Sequence, residues 1–264
     1  MRRLKNKYFK QLALVLALGI EVTALGGCKV HVVDDENPIT EDTSENSSVD
    51  EALEESALSE EDKRPDFNKI KEDNPDAFAW IKIPDTDVNQ MIIQGDYDYS
   101  TFSEGGNIEN AFIEFPNRTD FCDFNEIIYG LDEETILSYK DPDFFDAHRD
   151  FEIYMDGNRL KYQVVMSIEW DKVDLLEYYA FAIGNECQRF VNDLIDKRTL
   201  SDNVSDEYKL VSYMDFLVTI VVSDPENSDK QFMVIARLIE DEAGMLTHQP
   251  ADMPGIYLPE ESDE

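Results

Sequence analysis

The chain has 264 residues, with 23 Lys or Arg against 59 Asp or Glu and a formal net charge of −36 at pH 7. A surface that negative excludes nucleic acid and bare anionic lipid as electrostatic partners, and leaves cations and basic partners open. Three Cys in the whole chain are too few for a disulfide scaffold.

Residues 1–27 read as an export signal. Arg2, Arg3, Lys5, Lys7 and Lys10 form a basic start, and residues 12–20 form an apolar core too short to span a bilayer as a helix. The segment ends in Leu25-Gly26-Gly27-Cys28, a small-residue pair before a Cys that resembles the lipobox of bacterial lipoproteins. That resemblance implies lipidation of Cys28, with the rest of the chain on the outer face of the cytoplasmic membrane; an uncleaved anchor is the alternative. Glu21, close to the apolar core, is unusual for either.

Residues 28–63 are expected to form an acidic, disordered tether. Between positions 34 and 62 there are thirteen Asp or Glu and no Lys or Arg, so the segment has too little apolar surface to offset its ordering entropy, and like charges extend it. An acidic docking tail is the other use of such a run. Residues 242–264, with Pro250, Pro254 and Pro259 and the terminal Glu-Glu-Ser-Asp-Glu, are expected to be a flexible acidic tail.

Between them, residues 64–241 have the pattern of one mostly β domain. A helix is predicted over 64–73. Short runs rich in β-branched and aromatic residues at 78–83, 88–94, 110–115 and 126–129 predict strands, separated by Gly, Pro, Asn and Asp turns. Strands at 151–155 and 160–170 flank Asp156-Gly157-Asn158, a hairpin signal. A second helix is predicted over 185–197, with Phe190, Val191, Leu194 and Ile195 as its buried stripe. The runs 216–222 and 231–239 are the most apolar and should be buried on both faces, as at the centre of a closed barrel.

Three segments carry the functional argument: Asn125-Glu126-Ile127-Ile128-Tyr129-Gly130-Leu131, Leu217-Val218-Thr219-Ile220-Val221-Val222-Ser223, and Lys230-Gln231-Phe232-Met233-Val234. Each resembles a piece of a class B sortase, the cell-surface cysteine transpeptidases. So do Asn74-Pro75-Asp76-Ala77-Phe78-Ala79-Trp80-Ile81-Lys82-Ile83-Pro84-Asp85-Thr86 and Met91-Ile92-Ile93-Gln94, followed by Asp96-Tyr97-Asp98-Tyr99. The likeness covers roughly residues 65–241 and implies a sortase-like closed β-barrel with peripheral helices. In that family a His follows the Tyr-Gly, a nucleophilic Cys ends the second segment, and an Arg opens the third. Here those places hold Leu131, Ser223 and Gln231.

The family's chemistry needs all three groups: a thiolate to attack a peptide carbonyl, a proton carrier, and a fixed cation or donor at the oxyanion. Leu131 transfers no proton, Ser223 needs a positioned base, and Gln231 donates a hydrogen bond without charge. No catalytic residue is therefore expected. The resemblance leaves a peptide groove at Leu131, Val222, Ser223 and Gln231, which would bind a sorting-signal-like peptide or an envelope partner protein, with no cofactor and no metal. Two alternatives stand beside this: an active peptidase using Ser223 with an unrecognised base, and a passive structural lipoprotein.

The remaining candidates are weaker. Of the three His, only His148 falls inside the domain, in Phe144-Phe145-Asp146-Ala147-His148, a helix-to-strand junction. Cys122, beside Asp120 and Asp123, should have a raised thiol pKa; Cys187 should pack in the second helix; a disulfide between the two is open. Asp141, Asp143 and Asp146 lack the Gly and the spaced Glu of a calcium loop and read as a helix start. Arg237, six positions past Gln231, reads as a snorkelling strand residue.

Overall fold

In the computed structural model, which describes residues 64–247, helix α1 (Phe67–Asp73) starts where Asp66 accepts hydrogen bonds from the backbone N–H groups of Asn68 and Lys69. The expected signal peptide with Cys28, the tether, His31, His248 and most of the C-terminal tail lie outside the described residues. After α1 come β1 (Ala77–Lys82), β2 (Asn89–Ile93), the short helix α2 (Tyr99–Ser103), β3 (Ala111–Phe112) and β4 (Asn125–Ile128). Then follow α3 (Glu133–Leu137), a 3-10 turn at Ser138–Lys140, α4 (Pro142–Ala147) and the hairpin β5 (Asp150–Met155) and β6 (Asn158–Asp171). The chain ends with α5 (Leu175–Tyr178), α6 (Gly184–Lys197), β7 (Asn203–Val204), a second 3-10 turn at Asp206–Leu210, β8 (Leu217–Ser223) and β9 (Lys230–Asp241).

The strands form one sheet in the order β3-β2-β1-β5-β6-β9-β8-β4, with β7 paired to β6 off this path. Pairing is antiparallel except between β2 and β3 and between β4 and β8. The two end strands meet across a single bridge, in which Phe112 and Tyr129 exchange N–H···O=C hydrogen bonds of 2.9 Å each. The result is a nearly closed eight-stranded barrel with peripheral helices.

Side-chain alternation explains why the two central strands are apolar throughout. On β8, Val218, Ile220 and Val222 join Phe232, Val234 and Ala236 of β9 in a barrel interior that also takes Ile81, Ile92, Ile128, Ile153 and Leu160. The intervening Leu217, Val221, Met233 and Ile235 face a second layer built from Phe190, Val191 and Leu194 of α6 with Trp170, Leu175 and Tyr179. Both faces are therefore dry, as expected for residues 216–222 and 231–239.

Two predicted elements differ in extent. The run 110–115 pairs only at Ala111–Phe112. Beyond Ile113 the chain turns, Asn117 donating its N–H to the Glu114 carbonyl, and Pro116 has no N–H for a ladder. Gln94 Nε2 takes up the carbonyls of Glu114 and Asn117 instead, and Phe115 is left 84% exposed. The helix predicted at 64–73 begins at Phe67, because Asp66 is its cap. Helices α2, α3 and α5 are four or five residues long, each capped by an Asp, and were beyond the reach of an 11-residue periodicity window.

Gly130 fixes the chain direction beyond the bridge. It has φ +76°, and a Cβ there would meet Ile108 Cγ2 at 2.6 Å and the Asn110 carbonyl at 2.8 Å. Gly130→Ala should destabilise the fold by about 1–3 kcal/mol through positive φ and backbone contact, read as a lower denaturation midpoint in urea.

A buried acid sits in the barrel wall. Glu126 is 1% exposed, and neither its carboxyl oxygens nor the hydroxyl of fully buried Tyr162, which feels its charge, have a hydrogen-bond partner. Burial pushes the Glu126 carboxyl well above the usual carboxylate range, and Asp123 adds to it. A folded-state pKa above the unfolded one gives stability that is present below the unfolded pKa and is lost as pH rises through the folded one. Glu126→Gln should thus match the natural protein near pH 4 and exceed it at pH 7–8 by roughly 1–3 kcal/mol, measured by chemical denaturation across that range.

Candidate functional site

The three positions singled out by the sequence lie at one end of β4, β8 and β9. Ser223, the last residue of β8, pairs in register with Gln231 near the start of β9, so both side chains fall on the helix-covered face. Val222 and its partner Phe232 point the other way, into the barrel interior, and Leu131 is 5% exposed in that same interior cluster. The structure therefore does not bring the four expected groove residues to one surface. Strand alternation separates Ser223 and Gln231 from Val222 and Leu131, and an apolar floor made by the latter pair is not open to a ligand.

Gln231 is fully buried. Its amide is spent on local partners: Nε2 donates to the Val173 carbonyl at 3.1 Å, and Oε1 accepts from the Tyr99 hydroxyl at 3.3 Å. Tyr99 comes from α2 and Val173 from the segment between β6 and α5, so the glutamine ties two peripheral segments to the barrel wall. Around it the aromatic rings of Tyr99, Phe102, Phe112 and Tyr129 pack in a continuous group, with centroid separations from 4.9 to 6.1 Å among the contacts to Tyr129.

Among the described residues no histidine lies near Ser223. Among the described residues no hydrogen bond reaches its hydroxyl, and the one described histidine is elsewhere. His148 Nδ1 lies 3.0 Å from the Phe144 carbonyl, and its ring stacks on Phe144 at 3.9 Å. The neighbouring Arg149 carbonyl accepts from Val164 N–H, and Val164 pairs with Ala236. Ala236 is five residues along β9 from Gln231, which places His148 on the order of 17 Å from the Ser223 end at strand rise.

The other candidates resolve as packing or capping. Cys187 is buried in α6, donates its thiol to the Phe181 carbonyl at 3.1 Å, and burial pushes its pKa to about 12. Cys122 is also a free thiol with a raised pKa, burial contributing first and the Asp120 carboxylate second. Asp141 caps α4 by accepting from the N–H groups of Asp143 and Phe144. Arg237 pairs with Asp215 at 3.1 Å.

Sequence reasoning missed Glu114 as part of this site. It is 4% exposed, one carboxyl oxygen has no partner, and burial followed by Asp174 raises its pKa to about 7. Burial, then Asp174 and Glu114, also raises Tyr99 to about 12. The signal was a single acidic residue inside the apolar run Ala-Phe-Ile-Glu-Phe, within the strand predicted at 110–115.

No family model matches the chain. Sortase B of Staphylococcus aureus is 23% identical over 190 residues, covering 67% of this chain and 76% of that protein. Among solved structures, Clostridium perfringens sortase B aligns with 18% identity and a TM-score of 0.54, covering 66% of this chain and all of that one. A Staphylococcus aureus sortase B-substrate complex aligns with 20% identity and a TM-score of 0.53, covering 66% and 84%. The barrel is thus a sortase fold. In sequence and fold the chain is similar to the class B sortases.

Gln231 gives this region a direct test. Gln231→Leu leaves the Tyr99 hydroxyl and the Val173 carbonyl without their partner, and should cost about 1–3 kcal/mol of stability. In amide hydrogen exchange the loss should appear first in α2 and in the segment carrying Val173.

Proposed function

We propose that this protein is a surface-anchored, sortase-like binding protein that holds an extended peptide without transpeptidation. The observation that carries this reading is the burial of Gln231 with its amide bonded to Tyr99 and Val173, beside a Ser223 hydroxyl that no hydrogen bond reaches among the described residues. An alcohol with no base is a poor nucleophile, and a neutral amide already committed to two partners cannot swing to steady an oxyanion. The retained barrel supports peptide binding as the surviving function, since a protein of this fold is solved with its substrate. A sorting-signal-like peptide is the proposed ligand, and an envelope protein presenting such a segment is the proposed partner. The leader ending at Cys28 supports a lipid anchor on the outer face of the cytoplasmic membrane.

The test uses the soluble protein from residue 29 onward, with a library of sorting-signal-like peptides. Saturable peptide-dependent NMR shifts near Tyr99 and Ser223 are expected without any cleaved or transferred product. A triple variant, Leu131→His, Ser223→Cys and Gln231→Arg, is expected to regain measurable cleavage. Peptide cleavage by the natural protein would overturn the reading, as would absence of saturable shifts up to millimolar peptide.

A further inference from the structure

A groove of about 1450 Å³ lies on the outer face of β2, β1, β5 and β6, and none of Leu131, Val222, Ser223 or Gln231 lines it. Ile81, Ile153 and Leu160 fill the barrel interior, so strand alternation turns their chain neighbours outward into this groove. Register sorts those neighbours into two rows. Met91, Trp80, Tyr154 and Arg159 are successive cross-strand partners, and Asn89, Lys82, Glu152 and Lys161 are the successive partners of the next row. At strand spacing and rise the two rows cover about 14 Å by 7 Å. Helix α1, through Lys69 and Ile70, and the turn at residues 83–87 add to the lining.

The first row carries aromatic carbon and the second is polar. Trp80 Nε1 donates to Asn89 Oδ1 at 2.7 Å, and the Tyr154 hydroxyl donates to Glu152. The polar edge of each ring is thus satisfied within the face, and what the half-buried rings offer a ligand is flat carbon surface. Arg159 pairs with Glu152 at 3.0 Å and Lys161 with Asp150 at 2.8 Å, which holds these groups in place and matches their charges. Around the whole groove stand five Lys or Arg and eight Asp or Glu, an excess of acid that repels a polyanion. Both β1 and β5 are paired on their two sides, so their backbone groups are spent and an extended peptide cannot add to them as a strand. The ligand that matches has an apolar face and a rim of uncharged groups that both donate and accept. A sugar ring has that form, with C–H bonds on its face and hydroxyls around its edge.

We propose that this groove binds a neutral, extended carbohydrate chain, its rings lying on Trp80 and Tyr154 and its hydroxyls bonded by Asn89, Lys82, Glu152 and Lys161. Contact with the rings buries apolar surface, and hydrogen bonds to charged side chains are the stronger class. The site is separate from the peptide-binding end of the barrel, and neither reading depends on the other.

The chain has two Trp, and Trp170 is only 2% exposed, so Trp80 is the fluorescent reporter of the groove. Full-length protein, in a zwitterionic detergent without a sugar headgroup, is titrated with cellotetraose, chitotetraose and maltotetraose. At least one should change the tryptophan emission saturably, with half-saturation below about 1 mM. Lys82→Met, which keeps the aliphatic stem and removes the donor, should weaken that binding about tenfold and leave peptide-dependent NMR shifts near Ser223 unchanged. Trp80→Phe should abolish the emission change. No saturable response to any of the three sugars well above millimolar concentration would overturn the proposal. So would binding that Lys82→Met leaves unaltered, or an equal response to polyphosphate or to a serine-rich peptide.

Discussion

The two hydrogen bonds between Phe112 and Tyr129 are the constraint on which the candidate site depends. They are the only backbone pairing among the described residues between the ends of an eight-strand path, and they sit one residue before Gly130 and two before Leu131. Closure at that point sets the end of β4 beside the ends of β8 and β9. Gly130 then turns the chain, its carbonyl held by Gln90 Nε2 at 3.2 Å, and sends Leu131 into the barrel rather than over Ser223. Stacked rings of Phe112 and Tyr129 dry the bridge and strengthen it. A seam made of one bridge is short, so its surroundings are reinforced: Asn117 Nδ2 donates to the Asn125 carbonyl and its Oδ1 accepts from Ile127 N–H, splinting β4 along its unpaired edge.

The same end of the barrel shows a consistent exchange of chemistry. Where the resemblance implies a base, a nucleophile and a cation, the chain has an apolar side chain packed inward, an alcohol that no hydrogen bond reaches among the described residues, and a neutral amide bonded on both sides. These are not vacancies. Gln231 is an anchor for Tyr99 and Val173, and Leu131 fills interior volume, so each has a structural use that a catalytic residue at the same place would lack. An acid also lies buried near Tyr99: burial, followed by the Asp174 carboxylate, raises the Glu114 carboxyl to about 7.

Much of the fold was legible in the sequence because its strands obey simple rules. Seven of the predicted runs became strands with ends shifted by a residue or two, and the Asp156-Gly157-Asn158 hairpin formed with Gly157 at φ +80°. What the sequence hid was which face each residue takes at the site. Val222 and Ser223 are adjacent on a strand and so face opposite ways, and only the packing of β8 and β9 shows which of them takes the interior. Glu114 was hidden for another reason: the groups that act on its carboxyl, the Tyr99 N–H and the Asp174 carboxylate, belong to short Asp-capped helices without a periodic signal, far from it in the chain. A local pattern carries no information about such contacts.

The central claim is that peptide is held at this end of the barrel without chemistry. Intact-mass spectrometry of the soluble protein, incubated for hours with excess sorting-signal-like peptide and then quenched in acid, tests it most directly. The account predicts an unchanged protein mass and intact peptide, even at concentrations where NMR shifts show the peptide bound. A protein mass increased by an acyl fragment, mapped to Ser223, would contradict it.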